Sequence, residues 1–508
     1  MFTLKNKLKI AHFALLMSVL NFLFFHYAFF TFVFEYVDYH SFSGMVLIIS
    51  LVVLMLVLNA LVFYLICYLS HYVGKFLLIL FFNINAVAVY FINTYGVMID
   101  KTMVGNILNT NYAESSSFFS IKLLLYLLIL GILPSIYIIQ VNIVKVTWKK
   151  FIITASLSLL FVLALILANA SNWLWIDKNS KTLGALAMPW SYSVNTILFY
   201  SDRYKSNEKE ILLPDAVVAD RQKSVVVLVI GESARRANFS LYGYSKNTNP
   251  LLSKVPNLYH FDANSSATYT TAGVKSILEH TDTDKLYEIL PNYLYRNDVD
   301  VVWRTSNWGE PPVHIKTYQK TEALMPHCKG EGCNYDEVLL SGLKEQILAS
   351  KKNKVLVILH TSTSHGPTYN TKYPARFEVF KPVCKSVDLG KCSQAELINA
   401  YDNTIVYTDY MLAKIIDDLK QLKDYQSAMM FVSDHGESLG EKNLYMHGVP
   451  MSIAPKEQYE IPFIVWVSDG SKMVKPNKIL SQNHVFHSVL KFLNVQSPVY
   501  DEGMSIFK

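Results

Sequence analysis

Apolar residues crowd the first third of the chain and thin out abruptly after about residue 171. Before that point five stretches, residues 11–34, 44–69, 76–95, 121–141 and 151–170, each reach the ~20 apolar residues a helix needs to cross a bilayer. The first is too long and too aromatic for a cleaved leader, and no small-residue cleavage site follows it, so it is expected to remain as a span. Between the third and fourth lies IDKTMVGNILNTNYAES. Its Asp100, Asn106, Thr110 and Glu114 recur near helical spacing and predict an amphipathic helix near 99–118. Residues 172–222 begin with NWLWIDK and MPWSYSVNTILFY and end in the charged SDRYKSNEKE, which predicts interfacial helices followed by a linker. From residue 223 to 508 the apolar runs VVVLVIG, VDVVWRT, KVLVILHT, SAMMFVS and IPFIVWVS alternate with helical segments, the longest over 394–422. Continuous apolar strands separated by helices predict an α/β domain around a mostly parallel sheet covered on both faces. The expected plan is therefore a five-helix membrane domain over 1–171, a bridge over 172–222 and a catalytic domain over 223–508.

Charge orients the spans. Lys5, Lys7 and Lys9 precede the first, Lys75 separates the second and third, and Lys145, Lys149 and Lys150 separate the fourth and fifth. The alternate connections carry Glu35, Asp38, Asp100 and Glu114. The positive-inside bias places the N-terminus in the cytoplasm, so five spans put everything after residue 171 on the outer side. Cysteine usage agrees: Cys67 is alone in a span, while Cys328/Cys333 and Cys384/Cys392 are close pairs with neither a CxxC, as disulfides in an oxidising compartment would be.

Composition then narrows the function. Over 508 residues the net charge is only +6, and no basic run alternates with aromatics, so nucleic-acid binding has no support. The spans carry few ionisable groups, which argues against an ion-coupled transporter. Ligands of such α/β sheets sit beyond the carboxyl ends of the strands, and there the chain places Glu232, then His360 to His365, then Asp434 and His435. Carboxylates with imidazole form a zinc set, and three protein ligands leave a position for a reacting group. SSATYTTAGVKSIL offers Thr268, Thr270 and Thr271 before an apolar segment able to start a helix. A hydroxyl there gains helix-dipole potential and backbone N–H groups for a phosphate, and it needs a metal or base to become a nucleophile. His365 and His447, each followed by glycine, are candidates for a second metal, for phosphoryl oxygens or for proton transfer. Lys329, between two cysteines, is a candidate partner for phosphate charge.

At these residues the chain resembles the phosphoethanolamine transferases that modify lipid A and related envelope targets, a membrane-anchored branch of the alkaline phosphatase superfamily. The strings that carry the resemblance are GESARRANFSLYGYSKNTNP, SHGPTY, YDNTIVYTD, SDHGESLGE, YMHGVP and EQYEIPFIVW, in that order. The resemblance implies an alkaline phosphatase-like fold and one tightly bound zinc, with room for a second. It implies Glu232, Thr271, Asp434 and His435 as the zinc site, with Thr271 as nucleophile. His365 and His447 are implied at the second metal or substrate phosphate, Lys329 near the phosphorylated threonine, and Asn106, Thr110 and Glu114 at the lipid headgroup. It further implies phosphatidylethanolamine as donor, and lipid A, a core sugar or an envelope protein as acceptor. The nucleophile segment departs from the family's CGTxTAxSVPC: it reads ATYTTAGVKSI, with neither cysteine and no proline. Thr271 is preferred because it alone precedes alanine and matches the family spacing from Glu232, with Thr270 as the alternative. The nearest rival is a phosphoglycerol transferase or another phosphotransferase or hydrolase of the same superfamily.

Overall fold

The structure is a computed structural model describing residues 7–109, 115–116, 118–169, 172–205, 210–283, 285–387, 389–469 and 479–508. It divides into two compact units, Met1–Leu108 with Phe119–Ser201, and Asn109–Phe118 with Asp202–Lys508.

The first unit is helical: α1 (Ile10–Phe25), α2 (Tyr27–Tyr36), α3 (Phe42–Leu69), α4 (His71–Tyr95), α5 (Lys101–Asn109), α6 (Ile121–Gln140), α7 (Trp148–Ala168), α8 (Trp173–Leu186) and α9 (Trp190–Lys205). Helices α3, α4, α6 and α7 are each long and apolar enough to cross a membrane. The expected first span is broken instead: α1 and α2 meet at His26 with a bend of 66°. Apolarity over 11–34 could not reveal this, because both halves are hydrophobic and the break is a backbone event. Three side-chain hydrogen bonds run across the bundle. Asn85 donates to Asn21 (2.8 Å), Asn21 to the Met188 carbonyl (3.0 Å), and the Trp190 indole to Asn59 (2.8 Å). The bonds to Met188 and Trp190 fasten the start of α9 to the spans.

The second unit is built on an eight-stranded sheet: β1 (Ser224–Gly231), β2 (Leu258–Asn264), β3 (Asp300–Thr305), β4 (Thr317–Lys320), β5 (Lys354–His360), β6 (Gln426–Ser433), β7 (Glu460–Val467) and β8 (Leu480–Ser481). Their order is β8-β2-β7-β6-β1-β5-β3-β4. The sheet is mostly parallel, as its apolar strands predict, but IPFIVWVS forms β7, antiparallel to both β6 and β2. Strands β1 and β5 are buried along their whole length. Helices α10 (Thr270–Leu278), α11 (Gln394–Lys420) and α12 (His484–Phe492) pack around the sheet. Ser393 and Glu396 form a reciprocal capping box that starts α11. Cys328–Cys333 and Cys384–Cys392 are disulfide-bonded, and Cys67 is free and buried.

Candidate active site

The central strands β1 and β6 run parallel and in register, Gly231 opposite Ser433. The residues that follow, Glu232 and Asp434, therefore leave the sheet side by side. Ser233 takes a left-handed conformation (φ 54°), and its N–H donates to Asp434 Oδ1 at 3.0 Å. Gln482 Nε2 donates to the carbonyls of Ser433 and Asp434 (3.0 and 2.7 Å), while its Oε1 accepts from the Ser266 N–H (3.0 Å). One amide thus joins the end of β6 to the segment that leads into α10.

The strings that carry the family resemblance hold one another. Arg235 of GESARR pairs with Glu441 of the SLGE turn at 2.7 Å. Tyr401 at the start of YDNTIVYTD donates to the Ser233 carbonyl (2.7 Å) and accepts from the Arg235 N–H (2.9 Å). Its neighbour Asp402 accepts from Asn238, Tyr244 and Lys246. Each string therefore fixes the backbone on which a reactive side chain stands.

Helix α10 begins at Thr270, against this cluster. Thr270 Oγ1 lies 3.4 Å from Glu232 Oε2 and 3.3 Å from His435 Nε2. His435 Nε2 is 3.4 Å from Glu232 Oε1 and 3.3 Å from Asp434 Oδ2. Thr270, not the preferred Thr271, is the threonine brought to the cluster; Thr271 is only partly buried and follows it in the first turn. Successive helical residues diverge by about 100°, so two adjacent threonines cannot share a direction, and where the helix starts selects between them. Spacing from Glu232 alone favours the other residue, because it counts chain length rather than direction.

The cluster is lone-pair rich. His435 Nδ1 lies 2.8 Å from the Gly436 carbonyl, which places the ring proton there and leaves Nε2 as an acceptor. Burial, reinforced by His447, lowers the His435 pKa to about 4, so the ring is neutral. Burial and the neighbouring Glu232 charge hold the Asp434 carboxyl well above the usual range, and Asp434 Oδ2 has no hydrogen-bond partner. Two carboxylates, a neutral imidazole and a hydroxyl converging without a cation are electrostatically incomplete. Candidate ligand atoms of Glu232, His435 and His447 all lie within 4.8 Å of one another. The donor set and its orphaned oxygen therefore fit a divalent metal.

His365 and His447 stand beside it, their rings 5.3 Å apart, with the His447 ring 4.3 Å from that of His435. His447 Nδ1 faces Glu437 Oε2 at 3.3 Å. Asn307, which the sequence reading missed, donates to Glu232 Oε2 at 2.7 Å and to the Thr361 carbonyl at 2.9 Å. It follows β3 as Glu232 follows β1, so the strand-end rule could have found it, but an amide carries no metal or acid–base signature. Glu437 was inside the SDHGESLGE string and went unassigned; burial pushes its carboxyl up to about 8. His360 lies outside the cluster, fully buried against the Trp303 ring and 3.5 Å from Glu310. Lys329 is exposed on the loop closed by Cys328–Cys333 and makes no described contact with the cluster. Asn106 lies on α5 in the helical unit, and Thr110 and Glu114 fall outside the described residues.

Comparison with known proteins gives the arrangement a family. Residues 224–495 match the sulfatase model, and residues 54–204 match the model for phosphoethanolamine transferase EptA/EptB. A phosphoethanolamine transferase EptA from Helicobacter pylori is 41% identical over 97% of this chain and 96% of its own length. The chain belongs to the phosphoethanolamine transferase family. The transferase is also 32% identical, over 84% of each chain, to the phosphatidylethanolamine transferase Mcr-1 from Escherichia coli. Its fold matches the integral membrane lipooligosaccharide phosphoethanolamine transferase A from Neisseria meningitidis with a TM-score of 0.89, 28% identity and 99% coverage of both chains. The transferase is thus a multi-pass membrane enzyme with an alkaline phosphatase-like catalytic fold.

Proposed function

We propose that this transferase moves phosphoethanolamine from phosphatidylethanolamine to lipid A or another envelope acceptor, on the periplasmic side of a bacterial inner membrane, through a covalent intermediate on Thr270. The observation that carries the reading is the convergence of Thr270 Oγ1 with Glu232 and His435 at 3.3–3.4 Å. Relatives named as Kdo(2)-lipid A phosphoethanolamine transferases support the acceptor class. Glu232, Asp434, His435 and Thr270 would hold zinc, which when bound supplies a lowered hydroxyl pKa and countercharge for phosphate.

In the first half-reaction Thr270 Oγ1 attacks the donor phosphorus and the bond to the glyceride oxygen breaks. Diacylglycerol leaves with the proton the hydroxyl gives up, and phosphoethanolamine stays esterified to Thr270. In the second half-reaction an acceptor oxygen attacks the same phosphorus, the Thr270 ester breaks, and the acceptor's proton returns to the threonine. His365 and His447 flank the cluster and are the groups able to pass a proton to and from the two leaving oxygens. The first-turn N–H groups of α10, at the positive end of the helix dipole, would supply donors to the phosphoryl oxygens of a group on Thr270.

Intact-mass spectrometry of the full-length protein incubated with phosphatidylethanolamine tests the reading. Wild type and Thr271→Ala are expected to gain one phosphoethanolamine, and Thr270→Ala none. An adduct that survives Thr270→Ala overturns the assignment. Metal analysis of Glu232→Gln provides an activity-independent check, with zinc content expected to fall well below that of wild type.

A further inference from the structure

One buried carboxylate outside the ligand cluster holds two of the loops that serve it. Asp336 Oδ1 accepts from Ser306 Oγ at 2.6 Å and from Ser362 Oγ at 3.1 Å. Its Oδ2 accepts from the Ser362 N–H at 2.8 Å and from Thr363 Oγ1. Four donors thus occupy the two oxygens, about the full capacity of a carboxylate. Among the described residues none of these bonds goes to Glu232, Thr270, Asp434 or His435.

The two loops carry groups that face the cluster. Ser306 follows β3 and precedes Asn307, whose amide donates to Glu232 Oε2 at 2.7 Å and to the Thr361 carbonyl at 2.9 Å. Ser362 and Thr363 follow β5 and lead into His365, whose N–H donates to the Ser362 carbonyl at 3.4 Å and whose ring stands 5.3 Å from that of His447. The pairing of β3 with β5 ends at Thr305 opposite His360, and beyond that point Asp336 bonds to both loops at once. The aspartate itself stands on separate supports. It opens the turn Asp336–Leu340, just after the loop closed by Cys328–Cys333. Buried Arg304 of β3 donates to the carbonyls of Leu339 and Ser341, at 2.8 Å each, and the Glu337 N–H donates to the Tyr407 hydroxyl of α11 at 3.0 Å. The sheet and α11 therefore fix Asp336, and Asp336 fixes the loops. Reactive groups on loops keep their geometry only when supporting hydrogen bonds of this kind hold them.

We propose that Asp336 is a positioning residue for phosphoethanolamine transfer: it ties the loops after β3 and β5 so that Asn307 stays on Glu232 and His365 stays beside His447. The proposal rests on the transferase reading above and adds to it a group remote from the reacting atoms. Asp336→Asn keeps the size of the side chain but replaces one acceptor oxygen by an NH2 group, which accepts nothing and meets a hydroxyl or N–H donor. The loops then lose part of their common anchor while the strands beneath them stay paired.

The test measures the rate at which full-length, detergent-solubilised protein, with zinc in excess, gains the Thr270 adduct from phosphatidylethanolamine. Asp336→Asn is expected to slow adduct formation about 10–100-fold, the range typical of groups that orient ligands. In a background carrying both Asn307→Ala and His365→Ala the same change is expected to slow it by less than about twofold, because residues acting through one network are not additive. Ser306→Ala removes one donor and leaves the buried acid in place. Its smaller slowing is expected to vanish in an Asn307→Ala background and to persist in a His365→Ala background. Thermal unfolding of each variant reports folding. A wild-type rate for Asp336→Asn overturns the proposal. So does an undiminished loss in the double background, which is the result a general weakening of the fold would give. If Asp336→Asn does not fold, the Ser306→Ala series gives the answer, and a slowing equal in both backgrounds overturns the proposal. Wild type that forms the adduct beside an unaffected Asp336→Asn leaves the transferase reading standing, whereas wild type that forms none overturns that reading and the positioning role with it.

Discussion

Two side chains outside the reactive cluster show what single residues do here. Glu279 is buried just beyond α10, with Lys275 at 3.4 Å. Burial outweighs that partner and pushes its carboxyl up to about 7. A folded-state pKa above the ordinary carboxylate value stabilises the fold at low pH, and that stability is lost as pH rises toward 7. Glu279→Gln has no proton to lose. The Tm difference, variant minus wild type, is therefore expected to become more positive between pH 5 and pH 8; a difference that stays flat contradicts the shift. Gln482 bonds to the Asp434 carbonyl and to the N–H and Oγ of Ser266, joining Asp434 to the threonine segment. Groups that orient metal ligands typically contribute about 10–100-fold to affinity or activity. Gln482→Ala is expected to lower zinc affinity and the rate of Thr270 adduct formation within that range, as read by chelator competition and intact mass. The role of Gln482 is not legible in the residues around it, because its partners Ser266, Ser433 and Asp434 lie far away in sequence.

At the scale of elements, the decisive contact is the seating of α10 on the end of β6. Gly273 lies where a Cβ would stand 2.1 Å from the Asp434 carbonyl oxygen. Only a residue without a side chain lets the helix start this close to the Asp434 backbone. Gly273→Ala forces backbone apart, and overpacking of this kind costs about 1–3 kcal/mol. The variant is expected to fold with a lowered Tm and to lose zinc and adduct formation together; retention of wild-type zinc content would show that the close approach is not what sets the site. Gly309 makes a similar approach from the loop after β3, where φ is 103° and a Cβ would stand 3.1 Å from the Thr270 methyl group. The strands β1, β3, β5 and β6 were legible as unbroken apolar runs, since burial on both faces removes any polar alternation. The reversal of β7 was not, because strand direction leaves no mark on composition.

At the scale of the molecule, the charge pattern of the connections reappears in the helical unit. Lys7–Lys9 pairs in parallel with Asn142–Val144, and Lys75 Nζ donates to the carbonyls of Ile139 and Val141. The three connections read as cytoplasmic from their lysines thus meet at one end of the bundle. With Cys67 buried and the other cysteines bonded, single cysteines can report sidedness. Val217→Cys, at an exposed position of the catalytic unit, is expected to react with an impermeant maleimide in intact cells, and Lys149→Cys only after lysis. Labelling of Lys149→Cys without lysis would reverse the orientation.

Sequence by itself determined what depends on local composition: the number of apolar segments, their charge asymmetry, the α/β class of the second unit, the cysteine pairs, and Glu232, Asp434 and His435 as strand-end groups. These are legible because hydrophobic burial and strand-end placement write themselves into neighbouring residues. Tertiary structure alone decided the break at His26, the direction of β7, the work of Asn307 and Gln482, and the turn of α10 that presents Thr270 rather than Thr271. Each is a matter of direction or of contact between distant segments. A linear pattern records which residues are present, and only the packed chain fixes where their side chains point.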